Sequence, residues 1–193
     1  EQLWRQDGFA ADVPFTNAMF VPMGQAADIG LLHESVAAIV GRHEALRTRL
    51  AVRRGRAIQI AEDWKAGHLE VTDVLQSEIA DLRPGQKSAV GTFTQGGMDL
   101  YAQDGFRCHV FRDENENVTL GFLAHGFFAD ARSSHILVRE IRAAYEALGS
   151  GAPAPFEPAV SYAEYALAQR RSLDRNLSSH LTFWHGLIDN MPP

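Results

Sequence analysis

The chain of 193 residues contains a single cysteine, Cys108, so neither a disulfide framework nor a zinc site of several thiolates can form within it. Its most apolar stretch, residues 118–129, includes His125 and falls well short of the roughly 20 apolar residues that cross a bilayer. We therefore expect no membrane partner and a cytoplasmic location. Position 1 is Glu and no secretory leader pattern follows, so we expect the chain to come from a longer polypeptide.

Basic residues are also scarce. The 18 Lys and Arg residues stand against 24 Asp and Glu residues, which gives a formal net charge of -6. Because surfaces that bind duplex nucleic acid neutralise phosphates with clustered Lys and Arg, we expect no nucleic-acid partner. A hydrophobic content of 46% with 22% charged residues is typical of globular proteins. One domain over residues 1–193 would bury roughly 70% of its unfolded surface, which is sufficient for a core without disulfides or metals.

The chain has only one stretch rich in Pro and Gly, residues 149–158, which we interpret as a connector inside this domain. Before it, apolar residues at helical spacing predict an amphipathic helix over residues 27–46. After it, Ser161 and Glu164 form a capping box that opens one helix. A further helix is predicted over residues 177–188.

Alternating apolar and polar residues predict two β-hairpins. The first covers residues 49–60 and turns at residues 54–56, and the second covers residues 106–125, with a polar loop at residues 113–117. A helix follows the second hairpin and ends at Gly149. Together these elements predict an α+β fold with a mixed or antiparallel sheet flanked by helices.

The segment from His125 to Asp130 follows a predicted core strand and precedes a helix, where a rigid scaffold can present side chains to a cleft. A histidine there can exchange a proton near neutral pH. The same position equally suits a buried, hydrogen-bonded histidine, and Asp130 suits either a helix cap or half of an ion pair. Metal binding is not predicted, because Arg47 rather than a second histidine stands four residues after His43.

Several segments, in order, resemble the N-terminal half of the condensation domains of nonribosomal peptide synthetases. Leu3-Trp4 matches the first motif of that family, and Arg42-His-Glu-Ala-Leu-Arg-Thr-Arg-Leu50 is close to the second. Residues 122–134 occupy the place of the active-site signature His-His-x-x-x-Asp-Gly, and residues 162–167 with 183–184 resemble the helical motifs that follow it. The resemblance implies one lobe of a chloramphenicol-acetyltransferase-like fold.

The active-site signature is degenerate in this sequence. His125 matches its first histidine, but Gly126 stands at the second histidine, which the family uses on the reacting amine, and Ala131 stands at the final glycine. Loss of a general base removes a factor of about 10² to 10⁴ in rate. We therefore do not expect standard peptide-bond formation from this chain.

The resemblance also implies roles for the neighbouring charged residues. In the family the aspartate of the signature is structural and is held by an arginine of the second motif. These positions correspond here to Asp130 and to Arg47, with Arg49 as the second choice.

The resemblance, taken together with these residues, implies two functions from different classes. In the first, His125 is the catalytic base of a tailoring step, such as β-elimination or dehydration of an aminoacyl thioester. In the second, the chain is a catalytically inactive interaction module that recruits a carrier protein or a tailoring enzyme. A third interpretation, ranked last, is half of an acyltransferase whose chemistry is assisted by the substrate.

The resemblance implies partners as well. The substrate is expected on the phosphopantetheine of a peptidyl or aminoacyl carrier protein, with no cofactor bound by the domain itself and with neighbouring synthetase domains as further partners. Pro192-Pro193 falls about where the first lobe of the family gives way to the second. A lone lobe would expose its cleft face, which pairing with a second copy of itself or with a neighbouring module could cover.

Overall fold

The computed structural model describes residues 16–63, 69–80, 88–95, 97–102, 105–189 and 191. The motif residues Leu3-Trp4 and Pro192-Pro193 lie outside these described ranges. None of the helices in the described part of the chain is long and apolar enough to cross a membrane.

The described part of the chain contains both strands and helices, as an α+β fold requires. The strands are β1 (Thr16–Gln25), β2 (Thr48–Arg53), β3 (Arg56–Ala61), β4 (Val71–Asp73), β5 (Phe106–Arg112) and β6 (Asn117–His125). The helices are α1 (Ile29–Arg42), α2 (Gln76–Ala80), α3 (Ala89–Gln95), α4 (Ala131–Gly149) and α5 (Tyr162–Ile188), with a 3₁₀ helix at Glu44–Arg47.

Four of the strands form one mixed sheet in the order β1-β6-β5-β4, and β2 pairs with β3 in a second sheet. β6 is antiparallel to both of its neighbours, whereas β4 is parallel to β5. Both predicted hairpins are confirmed: Phe106 pairs with Ala124 in the second, and Thr48 pairs with Ala61 in the first.

β1 is a strand that the sequence pattern does not predict. Pro22 lies inside it and lacks the amide donor that an interior strand needs. The structure accommodates this proline because β1 lies at the edge of the sheet that the described residues form and because the pairing with β6 shifts register between Pro22 and Gly24. Sheet edges and bulges are the positions at which strands tolerate proline.

The core lies on both faces of β6, whose residues 118–125 are all buried. On one face, β5 and β6 pack against apolar residues of α1 and α4, namely Leu32, Val36, Ile39, Val40, Leu137, Ile141 and Ala144. On the other face, Gly121 lies against the rings of Phe20, Phe93 and Phe111, which also contact one another. Burial on both faces accounts for the nearly continuous apolar sequence of this strand.

The first predicted helix is shorter than expected. α1 begins after Asp28, whose side chain accepts a hydrogen bond from the Leu31 N–H at 3.0 Å, and it ends at Arg42 rather than at residue 46. His43 takes an extended backbone conformation and its ring bonds to Glu140 on α4 at 2.6 Å. The chain continues from His43 into the 3₁₀ helix at Glu44–Arg47.

The prediction of two helices after the connector is wrong, because α5 is one continuous helix of 27 residues. No proline lies within Tyr162–Ile188 and its one glycine is Gly186, so nothing breaks the helix before its last turn. The capping box is present: the Ser161 side chain accepts from the Glu164 N–H. The chain divides into two compact units between residues 157 and 158, at the end of the predicted connector, and the single domain over residues 1–193 stays a prediction.

A methyl group added at Gly121 tests the packing of the aromatic side chains. The new Cβ would lie 2.9 Å from Phe111 Cε2 and 3.2 Å from Cε1 of both Phe20 and Phe93, so we expect Gly121→Ala to lower the free energy of unfolding by about 1–3 kcal/mol. The matched control is Gly41→Ala in α1, where an added Cβ would meet no atom within 4 Å apart from its chain neighbours and the backbone of its own helix, and a gain of about 0.5–1 kcal/mol is expected. Urea unfolding measures both variants, and an unchanged stability of Gly121→Ala would contradict the packing.

Candidate functional site

The candidate site is the loop between β6 and α4. β6 ends at His125 and Asp130 is the N-cap of α4, so only residues 126–129 connect them. The carbonyl of His125 accepts hydrogen bonds from the N–H groups of Phe128 at 2.9 Å and Ala129 at 3.1 Å. The loop is therefore a tight turn that is held at both ends.

Gly105, just before β5, supports this loop from the side and was not among the residues singled out from the sequence. Its carbonyl accepts from the His125 N–H at 2.8 Å, and its own N–H donates to the Thr48 carbonyl at 3.2 Å. A Cβ at this position would overlap the ring of Phe128. Glycine thus allows the loop to approach the backbone closely, and the only signal in the sequence is a glycine directly before a predicted strand.

The imidazole of His125 is enclosed by the loop. The residue is 6% exposed, and its ring centroid lies 4.8 Å from that of Phe127. Nδ1 accepts a hydrogen bond from the Phe127 N–H at 3.2 Å, which assigns the proton of the neutral ring to Nε2. Burial lowers the pKa of His125, so the neutral form predominates at pH 7.

The tautomer of His125 determines whether its ring can act as a general base. A general base accepts a proton at a nitrogen that holds a lone pair. In the neutral ring that nitrogen is Nδ1, where the Phe127 N–H already lies, whereas Nε2 carries a proton and donates. The geometry therefore favours hydrogen-bond donation by His125 over proton abstraction.

Asp130 is a helix cap, one of the interpretations that the sequence left open. Its carboxylate accepts hydrogen bonds from the N–H and the Oγ of Ser133, both at 2.7 Å. These two bonds, the backbone bond foremost, hold the pKa of Asp130 below its usual value. The carboxylate therefore stabilises the first turn of α4.

The arginines of the second motif have another partner than the resemblance implies. Arg47 Nη1 donates to the Glu62 carbonyl at 2.8 Å, and Arg49 Nε donates to Glu62 Oε1 at 2.7 Å. Pairing of β2 with β3 explains this, because it brings Glu62 beside Arg47, whose carbonyl accepts from the Glu62 N–H at 3.0 Å. Among the contacts of the described residues, neither arginine bonds to Asp130, which differs from the expected Arg47–Asp130 pairing.

The two degenerate positions of the signature lie at opposite ends of the loop. Gly126 is half-buried, and Ala131 is exposed at the start of α4. The glycines with left-handed φ in the described ranges are Gly24, Gly55 and Gly151, so the backbone does not demand glycine at position 126. The absence of an imidazole there is a change in chemistry rather than a requirement of the turn.

Glu140 is a buried charged residue that the sequence candidates did not include. It is 6% exposed on α4, and its Oε2 lies 2.6 Å from His43 Nε2 and 3.4 Å from Arg42 Nε. The sequence does contain a signal for the burial of Glu140, because residue 140 falls on the same helical stripe as the apolar residues Leu137 and Ile141. A carboxylate on such a stripe needs a charged or hydrogen-bonding partner.

The part of the chain that the structure describes offers neither a reactive thiolate nor a set of metal ligands. Cys108 is half-buried in β5, and removal from water raises the pKa of its thiol to about 12, so it is not a thiolate at neutral pH. In the same ranges, no three His, Cys, Asp or Glu side chains come close enough to hold a metal ion.

Comparison with known protein families identifies the family of this chain. The family model for the condensation domain matches residues 14–193. This chain belongs to the condensation domain family. Among curated proteins, the dimodular nonribosomal peptide synthase of Bacillus subtilis (strain 168) is 30% identical over 174 residues, 86% of this chain and 7% of that protein. The isonitrile lipopeptide synthase of Mycobacterium tuberculosis is 27% identical over 201 residues, 99% of this chain and 8% of that protein.

Solved structures confirm the chloramphenicol-acetyltransferase-like fold of this condensation domain. The epimerization domain from the third module of tyrocidine synthetase B matches with a TM-score of 0.80 at 18% identity, covering 100% of this chain and 44% of that one. The X-domain from teicoplanin biosynthesis matches with a TM-score of 0.76 at 21% identity, covering 92% and 39%. The chain thus spans less than half of the length of these solved relatives.

Two substitutions at position 125 separate the acceptor role of the ring from its bulk. His125→Asn can keep an acceptor near the position of Nδ1, whereas His125→Leu removes it. We expect His125→Leu to lower the free energy of unfolding by about 1–3 kcal/mol, because the Phe127 N–H loses this acceptor, and His125→Asn to lose clearly less. Urea unfolding compares the two, and identical midpoints would show that the Nδ1 bond does not hold the loop.

Proposed function

We propose that this condensation domain is a binding module of a nonribosomal peptide synthetase, which docks a carrier protein bearing an aminoacyl thioester and performs no proton transfer on it. The observation that supports this most directly is the hydrogen bond from the Phe127 N–H to Nδ1 of His125. Gly126 follows and provides no second imidazole. Within the signature, the one side chain that ordinarily titrates near neutral pH has its lone pair in use.

The loss of rate expected without a general base also favours a binding role. A missing general base typically costs a factor of 10² to 10⁴ in rate, or about 3–5 kcal/mol of barrier lowering. Neutral His125 could replace that base only through the opposite tautomer, with the proton on Nδ1. The bond from Phe127 would then break, so the base would begin from an unfavourable form of the ring.

A solved relative gives a precedent for binding. The X-domain from teicoplanin biosynthesis is known in complex with OxyB, and its chain in that complex matches with a TM-score of 0.76 at 20% identity over 96% of this chain. That domain thus binds another protein in the complex. We extend a binding role, though not that partner, to this chain.

The proposed partner is the carrier protein, with the intermediate held on its phosphopantetheine and no cofactor bound by the domain itself. Neighbouring synthetase domains and self-association remain secondary predictions. His125 and Asp130 would shape the loop beside the intermediate. A cytoplasmic location stays a prediction of the sequence.

β-Elimination by His125 is the competing function, and a mass measurement separates the two. The domain, within its natural polypeptide, is incubated with a carrier protein charged with a β-hydroxyaminoacyl group, and the intact mass of the carrier is followed. We expect the mass to stay unchanged and the carrier to bind the parent and His125→Asn with equal affinity. Calorimetric titration measures that binding, with uncharged carrier as the control.

Two results would overturn the proposal. A loss of water from the charged carrier that disappears in His125→Asn would establish elimination, in which the α-proton moves to the base and the β-hydroxyl leaves. An absence of any carrier binding to the parent protein would exclude the carrier as the docked partner.

A further inference from the structure

Positive charge is concentrated in the β2–β3 hairpin. Residues 48–61 contain four arginines and no Asp or Glu, in a chain whose net charge is -6. The arginine at the base is neutralised, because Arg49 bonds to the carboxylate of Glu62. The other three lie at the far end of the hairpin, and we call Arg53, Arg54 and Arg56 the arginine tip.

The arginine tip is open to solvent. Every residue from 52 to 57 is exposed, and within the described residues the three tip arginines form no ion pair. About 13 Å of strand separates Arg53 from Arg49, at 3.3 Å per residue. Because the Debye length is about 8 Å at physiological salt, Glu62 does little to neutralise the tip.

Arginine is unfavourable for folding at these positions. Arg53 pairs directly across from Arg56, and like charges in such a pair destabilise a hairpin. Arg54 has a φ of 52°, a left-handed conformation for which two-residue turns prefer Asn, Asp or Gly. Residues that oppose local stability are a sign of function when they cluster on a surface.

We propose that the arginine tip docks an acidic segment of a partner protein. Guanidinium groups bind carboxylates through paired hydrogen bonds, and three of them at one turn fit a short run of Asp or Glu. Beside them, Val52 is 62% exposed and pairs with exposed Ala57, which gives apolar side chains of such a segment a contact.

A protein segment fits this surface better than nucleic acid. A nucleic acid continues past the tip and meets a chain with an excess of negative charge, which repels it, whereas a short acidic segment ends at the tip. The hairpin also belongs to a different sheet from β6. The docking proposal therefore does not depend on whether His125 transfers a proton.

Charge reversal at the tip tests this docking. The probe is a fluorescein-labelled peptide of about twelve residues that alternates Glu with Leu, and fluorescence anisotropy follows its binding. We expect Arg53→Glu with Arg56→Glu to weaken binding by about tenfold or more, because attraction becomes repulsion. The control, Arg170→Glu with Arg171→Glu on α5, changes the net charge equally at two exposed positions and is expected to change binding by less than about twofold.

A second variant shows whether weaker binding in the charge-reversal variant results only from misfolding. Arg54→Gly removes the left-handed arginine, so we expect a Tm higher by about 2–4 °C together with weaker peptide binding. Equal weakening in the tip and control variants, unchanged binding in Arg54→Gly, or tighter binding of a single-stranded oligonucleotide than of the peptide would each overturn the proposal. So would a parent protein that does not bind the peptide.

Discussion

The pairing of β6 on both of its edges is the constraint on which the site depends. Hydrogen bonds join it to β1 on one side and to β5 on the other, and its residues 118–125 are buried on both faces. A slip of one residue would exchange the two faces of the strand, so its register is fixed. The end of β6 therefore positions His125, and the cap at Asp130 positions the start of α4. The four residues between them have little freedom.

Charge as well as apolar packing holds α4 to α1. The buried carboxylate of Glu140 contacts His43 and Arg42, and the Arg42 guanidinium lies 5.4 Å from the ring centroid of Phe156. Removing one partner of a buried ion pair typically costs about 3–5 kcal/mol, because the other charge is left unpaired. This cluster links the segment that resembles the second family motif to α4 and to the connector, and so accounts structurally for charged residues that the chemistry of the loop does not use.

Local patterns predicted those features whose causes are local. The alternation in residues 106–125 and the Ser161–Glu164 capping box were sufficient for the hairpin and the start of α5. Features that depend on distant partners were not predictable. The sequence pattern does not predict β1 because Pro22 lies within it. Only the pairing of the described strands shows that β1 lies at the edge of the sheet, where proline is tolerated. Arg47 contacts Glu62 rather than Asp130 because of the way in which a hairpin closes.

The tautomer of His125 was likewise invisible in the sequence, since it depends on a backbone N–H two residues further along the chain. The proposed binding role rests on this tautomer, because a neutral ring protonated at Nε2 donates a hydrogen bond and does not remove a proton there. Long-range ¹H–¹⁵N NMR of the imidazole nitrogens measures this state directly, because protonated and unprotonated nitrogens differ widely in chemical shift. With the spectrum assigned through His125→Asn, the account predicts a neutral ring with its proton on Nε2 at pH 7. A ring protonated on Nδ1, alone or as the imidazolium, would contradict it.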